Sequence, residues 1–359
     1  MTYDSTDTGK AAGLTIGLDV SDTHTSLCMV DEEGNVIEEG RVRTTTPALE
    51  QRFSVLPSCR IVLEVGTHSP WMSRLLADLG HEVIVANPRR VRLIAENDRK
   101  RDRTDAELLA RLGRVDPGLL RPIQHRGSEA QQDLALLRAR DALVRARTNL
   151  INHVRGAVKA TGSRLPACSA ASFHRKAAAH LPAPLQLTLL PIISLIAELT
   201  ARIRDYDREV ERSSERYPAV RLLRQVRGVG PLTALAFLLV IEDPERFRKS
   251  REVGPYLGLV PRQSQSGERE PQLSITKAGD PLLRRLLVQS AHYILGPFGP
   301  DTELRRWGLR LAGTGSSRSK KRAVVAVARK LAVLLHRLWV TGDVYTPLLG
   351  ERVAPARAG

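Results

Sequence analysis

The chain has 359 residues, of which 55 are Lys or Arg and 39 are Asp or Glu, so its formal net charge is +16. Hydrophobic residues make up 42% of the chain, which is enough for packed cores and excludes a wholly disordered protein. No uninterrupted apolar run reaches the roughly 18–20 residues that cross a bilayer, so we expect no membrane partner. The three cysteines (Cys28, Cys59 and Cys168) lie far apart, which argues against a disulfide framework or a zinc site and favours a cytoplasmic protein.

The basic charge is the first indication of function. A protein with a pI near 10.4 attracts polyanions, and nucleic acid is the most common such partner. The charge is also clustered, because residues 304–337 contain ten Lys or Arg and no Asp or Glu. The alternative is a solvated basic surface that only maintains solubility. We favour nucleic acid, and therefore expect association with the nucleoid when the protein is bound to DNA.

After a disordered leader at 1–14, residues 15–127 alternate between strand and helix patterns. TIGLDV and TSLCMV flank a polar turn, and DEEGN leads into a third strand, which indicates an antiparallel meander. The nearly continuous apolar run IVLEVG is typical of a buried parallel strand. The predicted elements are strands at 15–20, 25–30, 35–45, 61–66 and 82–87, a short helix opened by Pro47, a helix near Pro88, and helices at about 70–79 and 102–114. This order is that of the ribonuclease-H-like (RuvC-like) fold, so the fold class is α/β here.

The remainder of the chain is predicted to be all-α. Residues 128–217 carry apolar side chains at helical spacing over 134–160 and again over about 185–216, separated by a looser stretch at 161–184. This pattern indicates an antiparallel helical arm or coiled coil, with a plain helical linker as the alternative. Residues 218–345 form a third, mostly helical domain, and residues 346–359 a frayed tail.

Four acids lie where the predicted fold can bring them together. Asp19 and Glu64 interrupt apolar strands, where a charge is costly unless something compensates it. Asp102 and Asp105 are three residues apart on a predicted helix and therefore share one face. Converging carboxylate oxygens suit Mg²⁺, and two such ions assist phosphodiester chemistry. We therefore predict a metal site, although each acid alone is consistent with a turn, a strand edge or a solvated helix start.

The same first strand is compatible with a different class of protein. GLDVSDTHTSLCMVDEEGNV is similar to the phosphate loop of actin-like sugar kinases. That family requires a second glycine-rich phosphate loop and an adenosine site, for which no convincing candidate follows, and the charge fits a small-molecule kinase poorly.

Two polar segments in the C-terminal domain are candidates for contact with phosphate. VRGVGPLTAL is similar to a helix-hairpin-helix, in which Gly228 and Gly230 let the backbone approach a phosphate; a tight turn between core helices is the alternative. GLVPRQSQSGERE, followed by LSITKAGDPLLRRLL, presents a serine beside a glycine. The nearby cations are Arg262, Lys277 and Arg284. Composition alone predicts only a flexible loop here. The basic cluster Lys320, Lys321 and Arg322 is a further candidate for binding nucleic acid.

In this order, the motifs resemble the DEDD transposases of the insertion-sequence 110 type, the serine-dependent recombinases guided by a bridge RNA. GLDVS, LEVG and KRDRTDAELLA match the RuvC-like domain, and RGVGPLTA, YLGLVPRQSQSG and ITKAGDPLLRRLL match the transposase domain. The resemblance implies that the DEDD tetrad, which holds Mg²⁺, is Asp19, Glu64, Asp102 and Asp105. It also implies that the nucleophile is Ser266, directly before Gly267, with Ser264 as the nearest alternative.

The resemblance further implies a mechanism and partners. The serine attacks a DNA phosphodiester to form a phosphoserine intermediate, and strand exchange joins donor and target DNA. A structured RNA encoded by the element pairs with both DNAs. Dimers meet in a tetramer, with the helical arm as the dimerising element. Two alternatives remain open at this point, a RuvC-like junction nuclease that uses water as the nucleophile and a basic scaffold without catalytic activity.

Overall fold

The computed structural model describes residues 13–87, 102–262, 273–313 and 315–348, and for residues 102–104 it describes the backbone alone. The chain divides into two compact units, residues 1–126 and residues 127–359. The predicted fold class is confirmed in outline, because the first unit is mixed α/β and the second is mostly helical. The helix predicted near Pro88 lies outside the described residues.

The N-terminal unit is built on a five-stranded mixed sheet with the strand order β3-β2-β1-β4-β5. The first three strands pair antiparallel as a meander, and β4 and β5 extend the sheet in parallel with β1. A single-turn 3₁₀ helix follows at Pro117–Leu120. The elements are β1 (Thr15–Val20), β2 (His24–Val30), β3 (Val36–Arg43), α1 (Thr46–Phe53), β4 (Arg60–Glu64), α2 (Ser69–Asp78), β5 (Glu82–Ala86) and α3 (Asp102–Val115).

The two faces of the sheet are buried against different helices. Strand side chains alternate between the faces, so Leu18 and Leu63 point to one side together with Ile16 and Ile61. Those residues pack against Leu49 and Phe53 of α1 and Met72 and Leu76 of α2. On the opposite face, Val62 and Ile84 pack against Leu109 of α3. Burial on both faces explains the continuous apolar run of β4.

Helix α3 packs directly on the backbone of β1. A Cβ atom on Gly17 would lie 2.0 Å from the Ala106 carbonyl oxygen and 2.5 Å from the Ala110 nitrogen, so no side chain fits at that position. Further along the helix, a Cβ on Gly113 would lie 2.3 Å from Val62 Cγ2 and 3.7 Å from Thr15 Cγ2. Because Gly113 lies beside the start of β1 and Ala106 lies further along it, the first turn of α3 is directed towards the end of β1.

The C-terminal unit is helical throughout its described length, apart from one isolated bridge between Pro261 and Ile275. The stretch predicted to be loose contains a short helix, α5, which the spacing of apolar residues did not reveal. The elements are α4 (Ser128–Ala160), α5 (Phe173–Ala179), α6 (Ala183–Glu215), α7 (Pro218–Leu223), α8 (Pro231–Ile241), α9 (Val253–Tyr256), α10 (Pro281–Leu295), α11 (Glu303–Ala312) and α12 (Ser317–Thr341), with 3₁₀ helices at Pro244–Arg246 and Ser250–Glu252.

Helices α4 and α6 pack antiparallel along the helical arm. Arg140 Nε donates to Asp207 Oδ1 at 2.6 Å, and Arg216 Nη2 donates to Asp133 Oδ1 at 2.5 Å, pairs whose numbers rise on one helix as they fall on the other. By length and composition, α6 could cross a bilayer, since one 18-residue window has a mean hydropathy of 1.5. In the structure Leu189, Ile193 and Ile196 belong to a core shared with α4 and α5, whereas Leu187, Leu190 and Leu195 are exposed.

The main core of the C-terminal unit surrounds α8. Every residue of α8 from Thr233 to Ile241 is buried, so this helix is apolar on all sides, as expected of a central core helix. Side chains from α10 and α12, such as Leu287 and Leu331, pack around it. The core therefore holds the turn before α8 in a fixed position.

Gly17→Ala is expected to destabilise the N-terminal unit, because the new methyl group would meet backbone atoms that cannot rotate away. We expect a loss of roughly 2–3 kcal/mol, measured by urea unfolding of the full chain. Gly66→Ala is the matched control, since a Cβ there meets no atom within 4 Å. Equal stability of the two variants would contradict the close packing of α3 on β1.

Candidate active site and nucleic-acid interface

Asp19 and Glu64 lie at the ends of two neighbouring parallel strands. The register pairs Leu18 with Leu63, and the two acids directly follow that pair. Since side chains alternate, Asp19 and Glu64 share the face of Gly17 and Val62, which is the face that α3 covers. Strands in a sheet lie about 4.8 Å apart, so the two acids are adjacent. Both side chains are half-buried.

The first turn of α3 carries the other two predicted acids. One helical turn separates Ala106, beside Gly17, from Asp102, while two strand residues separate Gly17 from Asp19. Both steps span about 6 Å, so the start of α3 lies level with the strand ends. Asp105 is half-buried, and the side chain of Asp102 lies outside the described residues. Among the side chains that the structure describes, no three His, Cys, Asp or Glu lie close enough together to hold a metal ion.

A hydrogen-bond relay links the loops that follow β1 and β4, and no sequence motif indicates it. Trp71 Nε1 donates to His68 Nδ1 at 3.1 Å, so Nδ1 acts as an acceptor and the ring proton sits on Nε2. Nε2 is 3.1 Å from Asp22 Oδ1, to which it donates. This relay fixes the two loops directly beyond Asp19 and Glu64.

Ser264 and Ser266 lie outside the described residues. The chain before them is hydrogen-bonded to the chain after them. The Arg262 amide donates to the Ser274 carbonyl at 2.9 Å, and the Thr276 amide donates to the Val260 carbonyl at 2.9 Å. These bonds form an antiparallel pair, so the described residues that flank the two serines, Arg262 and Leu273, lie close together.

The three cations predicted beside the serine have different surroundings. Arg262 and Lys277 are exposed, and Lys277 adopts a left-handed backbone with φ of 55°, which is uncommon for a residue with a side chain. Arg284 Nη1 donates to the carbonyls of Leu257 at 3.1 Å and Gly279 at 3.0 Å. Burial lowers the pKa of the Arg284 guanidinium. Arg284 therefore holds the backbone at Leu257 and Gly279 together, close to the segment that contains Ser264 and Ser266.

The turn between α7 and α8 contains Gly228 and Gly230. Gly228 has φ of 96°, and a Cβ there would lie 2.9 Å from Tyr293 Cδ1, so the position requires glycine. Gly230 is the residue before α8, and no side chain caps the amides at that end of the helix. Such uncapped amides, together with the helix dipole, favour an anion.

Helix α12 begins with a cluster of cations. Lys320, Lys321 and Arg322 are exposed, and no acid lies in the first turn. Arg318, in the first turn, faces the positive end of the helix dipole, which costs about 0.3–1 kcal/mol, and it repels Arg322 four residues further along the same face. A bound polyanion would relieve both effects.

One face of α10 lies opposite the glycine turn and was missed at the sequence level. Leu286, Gln289, Ser290 and Tyr293 line a cavity of about 540 Å³ together with Arg227 and Gly228. Their spacing of i, i+3, i+4 and i+7 marks one side of a helix. Two polar side chains and a Tyr on one side of a predicted helix could have indicated this surface from the sequence.

The sequence of the chain is similar to those of known transposases. Residues 16–162 match the family model of the DEDD transposases of the IS110 type, and residues 220–302 match the transposase IS116/IS110/IS902 family. The chain is 30% identical over 340 residues to a probable family 20 transposase of Pseudomonas aeruginosa, covering 92% of this chain and 98% of that protein. It is 29% identical over 342 residues to the transposase for insertion sequence element IS1111A of Coxiella burnetii, covering 92% and 90%.

A shorter match has a different description. Over 116 residues the chain is 31% identical to the pilin gene-inverting protein of Moraxella lacunata, covering 32% of this chain and 35% of that protein. The two units thus match transposases in sequence, and a transposase is a DNA-modifying enzyme. The chain belongs to the IS116/IS110/IS902 transposase family.

Replacing Lys320, Lys321 and Arg322 with Gln is expected to weaken binding to duplex DNA and to flatten its salt dependence. Each lost phosphate contact lowers the slope of log K against log salt by about one, so we expect a decrease of about three. Fluorescence anisotropy at several salt concentrations measures it. The control is R208Q/R212Q on α6, whose arginines are paired with Asp205 and Glu209. An equal decrease in the control would contradict a specific role for α12.

Proposed function

We propose that this transposase is a DNA recombinase that mobilises its insertion sequence by serine-dependent cleavage and strand exchange, with a RuvC-like carboxylate site. The observation that carries the proposal is the shared position of Asp19, Glu64 and the first turn of α3 at one end of a mixed sheet. The order of strands and helices around these acids supports the RuvC-like assignment. The similarity to a pilin gene-inverting protein supports recombination as the outcome.

The carboxylates fit a hard divalent cation. Their oxygen atoms are the donors that Mg²⁺ prefers, and two of the acids lie on strands held rigidly in the sheet. Asp19, Glu64, Asp102 and Asp105 would hold the metal, with Asp102 and Asp105 supplied by one face of α3. When bound, Mg²⁺ supplies charge stabilisation to a phosphate undergoing substitution.

Ser266 is the proposed nucleophile, and Ser264 is its alternative. The hydroxyl loses its proton as Oγ attacks phosphorus, and the P–O bond to the leaving nucleotide breaks as that oxygen takes up a proton. The product is a phosphoserine ester and a free hydroxyl. A hydroxyl from another strand then attacks the ester and regenerates the serine, so the number of phosphodiester bonds is conserved. Arg262 and Lys277, both exposed beside this segment, offset the phosphate charge.

Nucleic acid is proposed to bind at the basic and glycine-rich parts of the C-terminal unit. The uncapped amides at the Gly228–Gly230 turn suit a phosphate in the manner of a helix-hairpin-helix. Donor and target DNA, together with a bridge RNA that pairs with both, would account for the cations of α12. The charge of +16 supports a polyanionic partner.

Assembly as dimers that meet in a tetramer is proposed through the helical arm. Helix α6 exposes Leu187, Leu190 and Leu195, although it shares a core with α4 and α5. Exposed apolar side chains on a long helix suit a second copy of the same helix.

Ser266→Ala is expected to abolish the covalent protein–DNA adduct while Ser264→Ala retains it. The readout is a shift in mass on denaturing gels after incubation with radiolabelled donor DNA, bridge RNA and Mg²⁺. Retained RNA binding by both variants shows that each is folded. An adduct that survives Ser266→Ala and disappears in Ser264→Ala would identify the other serine. Strand cleavage without an adduct in the unaltered protein would instead indicate a junction nuclease that uses water.

Asp19→Asn and Asp102→Asn are expected to lower Mg²⁺-dependent cleavage by about 10²–10³-fold, because each removes a carboxylate that would hold the metal ion whose positive charge stabilises the transition state. Asp22→Asn is the matched control, since its side chain is almost fully exposed and the amide oxygen of Asn can still accept the hydrogen bond from His68 Nε2. Cleavage rates are compared after melting temperatures establish equal stability. Unchanged rates in the first two variants would refute the carboxylate site and favour a non-catalytic scaffold.

A further inference from the structure

The cavity between the glycine turn and α10 has the size of a small-ligand site. Its volume of about 540 Å³ falls within the roughly 300–1,000 Å³ of such sites. One wall is the turn that contains Gly228 and Gly230, and the other is the face of α10 that ends at Tyr293. Val226, Val229 and Leu286 of the cavity lining belong to the core around α8, which holds both walls in place.

One end of the cavity is suited to a phosphate. The first amide of α8 that meets a backbone acceptor in the described chain is that of Ala234, which donates to the Gly230 carbonyl at 2.9 Å. The preceding amides of Leu232 and Thr233 therefore have no backbone acceptor in the described chain and can donate to an anion. Arg227 is exposed on the cavity wall and has no carboxylate partner within the described residues. By contrast, Arg224 is already paired with Glu211.

Two hydroxyls of largely buried residues also line the cavity. Thr233 is 7% exposed and Ser290 is 4% exposed, and neither hydroxyl has a hydrogen-bond partner among the residues that the structure describes. Both hydroxyls are therefore able to hydrogen-bond to a ligand in the cavity. Their position on the wall indicates a polar ligand rather than an apolar one.

The aromatic ring of Tyr293 distinguishes a nucleotide from a simple anion. The ring is 45% exposed, and a Cβ on Gly228 would lie only 2.9 Å from its Cδ1, so the phosphate-binding turn and the ring are in direct contact. An exposed ring in the same cavity as a phosphate site suits a nucleotide, because nucleotide bases stack on aromatic side chains. The bases of an intact duplex are stacked on one another and cannot enter a cavity.

We propose that this cavity binds one unpaired nucleotide, with its phosphate at the Gly228–Gly230 turn and its base stacked on Tyr293. Thr233 and Ser290 hydrogen-bond to the phosphate or sugar. This inference rests on the proposal that the glycine turn contacts nucleic acid, and it narrows that contact from any phosphate to a nucleotide outside a duplex. The unpaired strand is either displaced DNA or a single-stranded part of an RNA.

Tyr293→Leu, Tyr293→Phe and Arg227→Gln test the proposal in the full chain. Each is titrated in EDTA, where no cleavage contributes, against oligo-dT and oligo-U of about 12 nucleotides and against a DNA duplex. Tyr293→Leu should weaken binding of one or both single strands by about ten- to a hundredfold and leave duplex binding unchanged. Tyr293→Phe keeps the ring and should bind as the unaltered protein does. Arg227→Gln should weaken single-strand binding and lower its salt slope by about one.

The comparison of DNA with RNA identifies the source of the nucleotide. Equal losses for single strands and duplex, or equal behaviour of Tyr293→Leu and Tyr293→Phe, would overturn the proposal. If Tyr293→Leu unfolds, photocross-linking of an oligonucleotide that carries 5-iodouracil to the unaltered protein replaces it, and the cross-linked peptide must contain Tyr293. The outcome does not depend on the nucleophile, because failure of the Ser266 test leaves these binding ratios unchanged.

Discussion

The backbone contact between α3 and β1 is the constraint on which the N-terminal unit depends. Gly17 has no space for a side chain because the Ala106 carbonyl and the Ala110 amide lie against it. The helix can therefore neither rotate nor move along the strand without a clash. This contact sets the level of the first turn of α3 relative to the ends of β1 and β4, and so sets the separation of acids that are more than eighty residues apart in sequence.

In the second unit, an apolar core positions polar groups at the surface. Helix α8 is buried on every side, and its first residues follow directly from the glycine turn. The turn is consequently held by the core, together with the hydrogen bond that the Val229 amide donates to the Val226 carbonyl at 2.9 Å. Arg284 has a comparable role beside the segment that contains Ser264 and Ser266. There, one guanidinium nitrogen donates to two backbone carbonyls. In both places, rigidity close to a polar surface comes from side chains that point inwards.

The sequence predicted the helices and strands better than the contacts between them. The sheet followed from apolar runs with strand periodicity, and the adjacency of Asp19 and Glu64 followed from parallel strands ending at one edge. Helix α5 was missed because it is short and follows a segment rich in Ser and Pro. The relay of Trp71, His68 and Asp22, the tethering role of Arg284 and the cavity at Tyr293 depend on contacts between distant segments, which periodicity does not encode. The roles of the four acids and of Ser266 remain predictions.

The crowded cations at the start of α12 have a consequence for the free protein. Like charges at a helix N-terminus make the folded state less favourable when no counter-charge is present. Anything polyanionic that binds the folded chain and not the unfolded chain shifts the folding equilibrium by mass action. DNA bound at α12, as proposed above, would therefore stabilise the folded chain in addition to serving as the substrate.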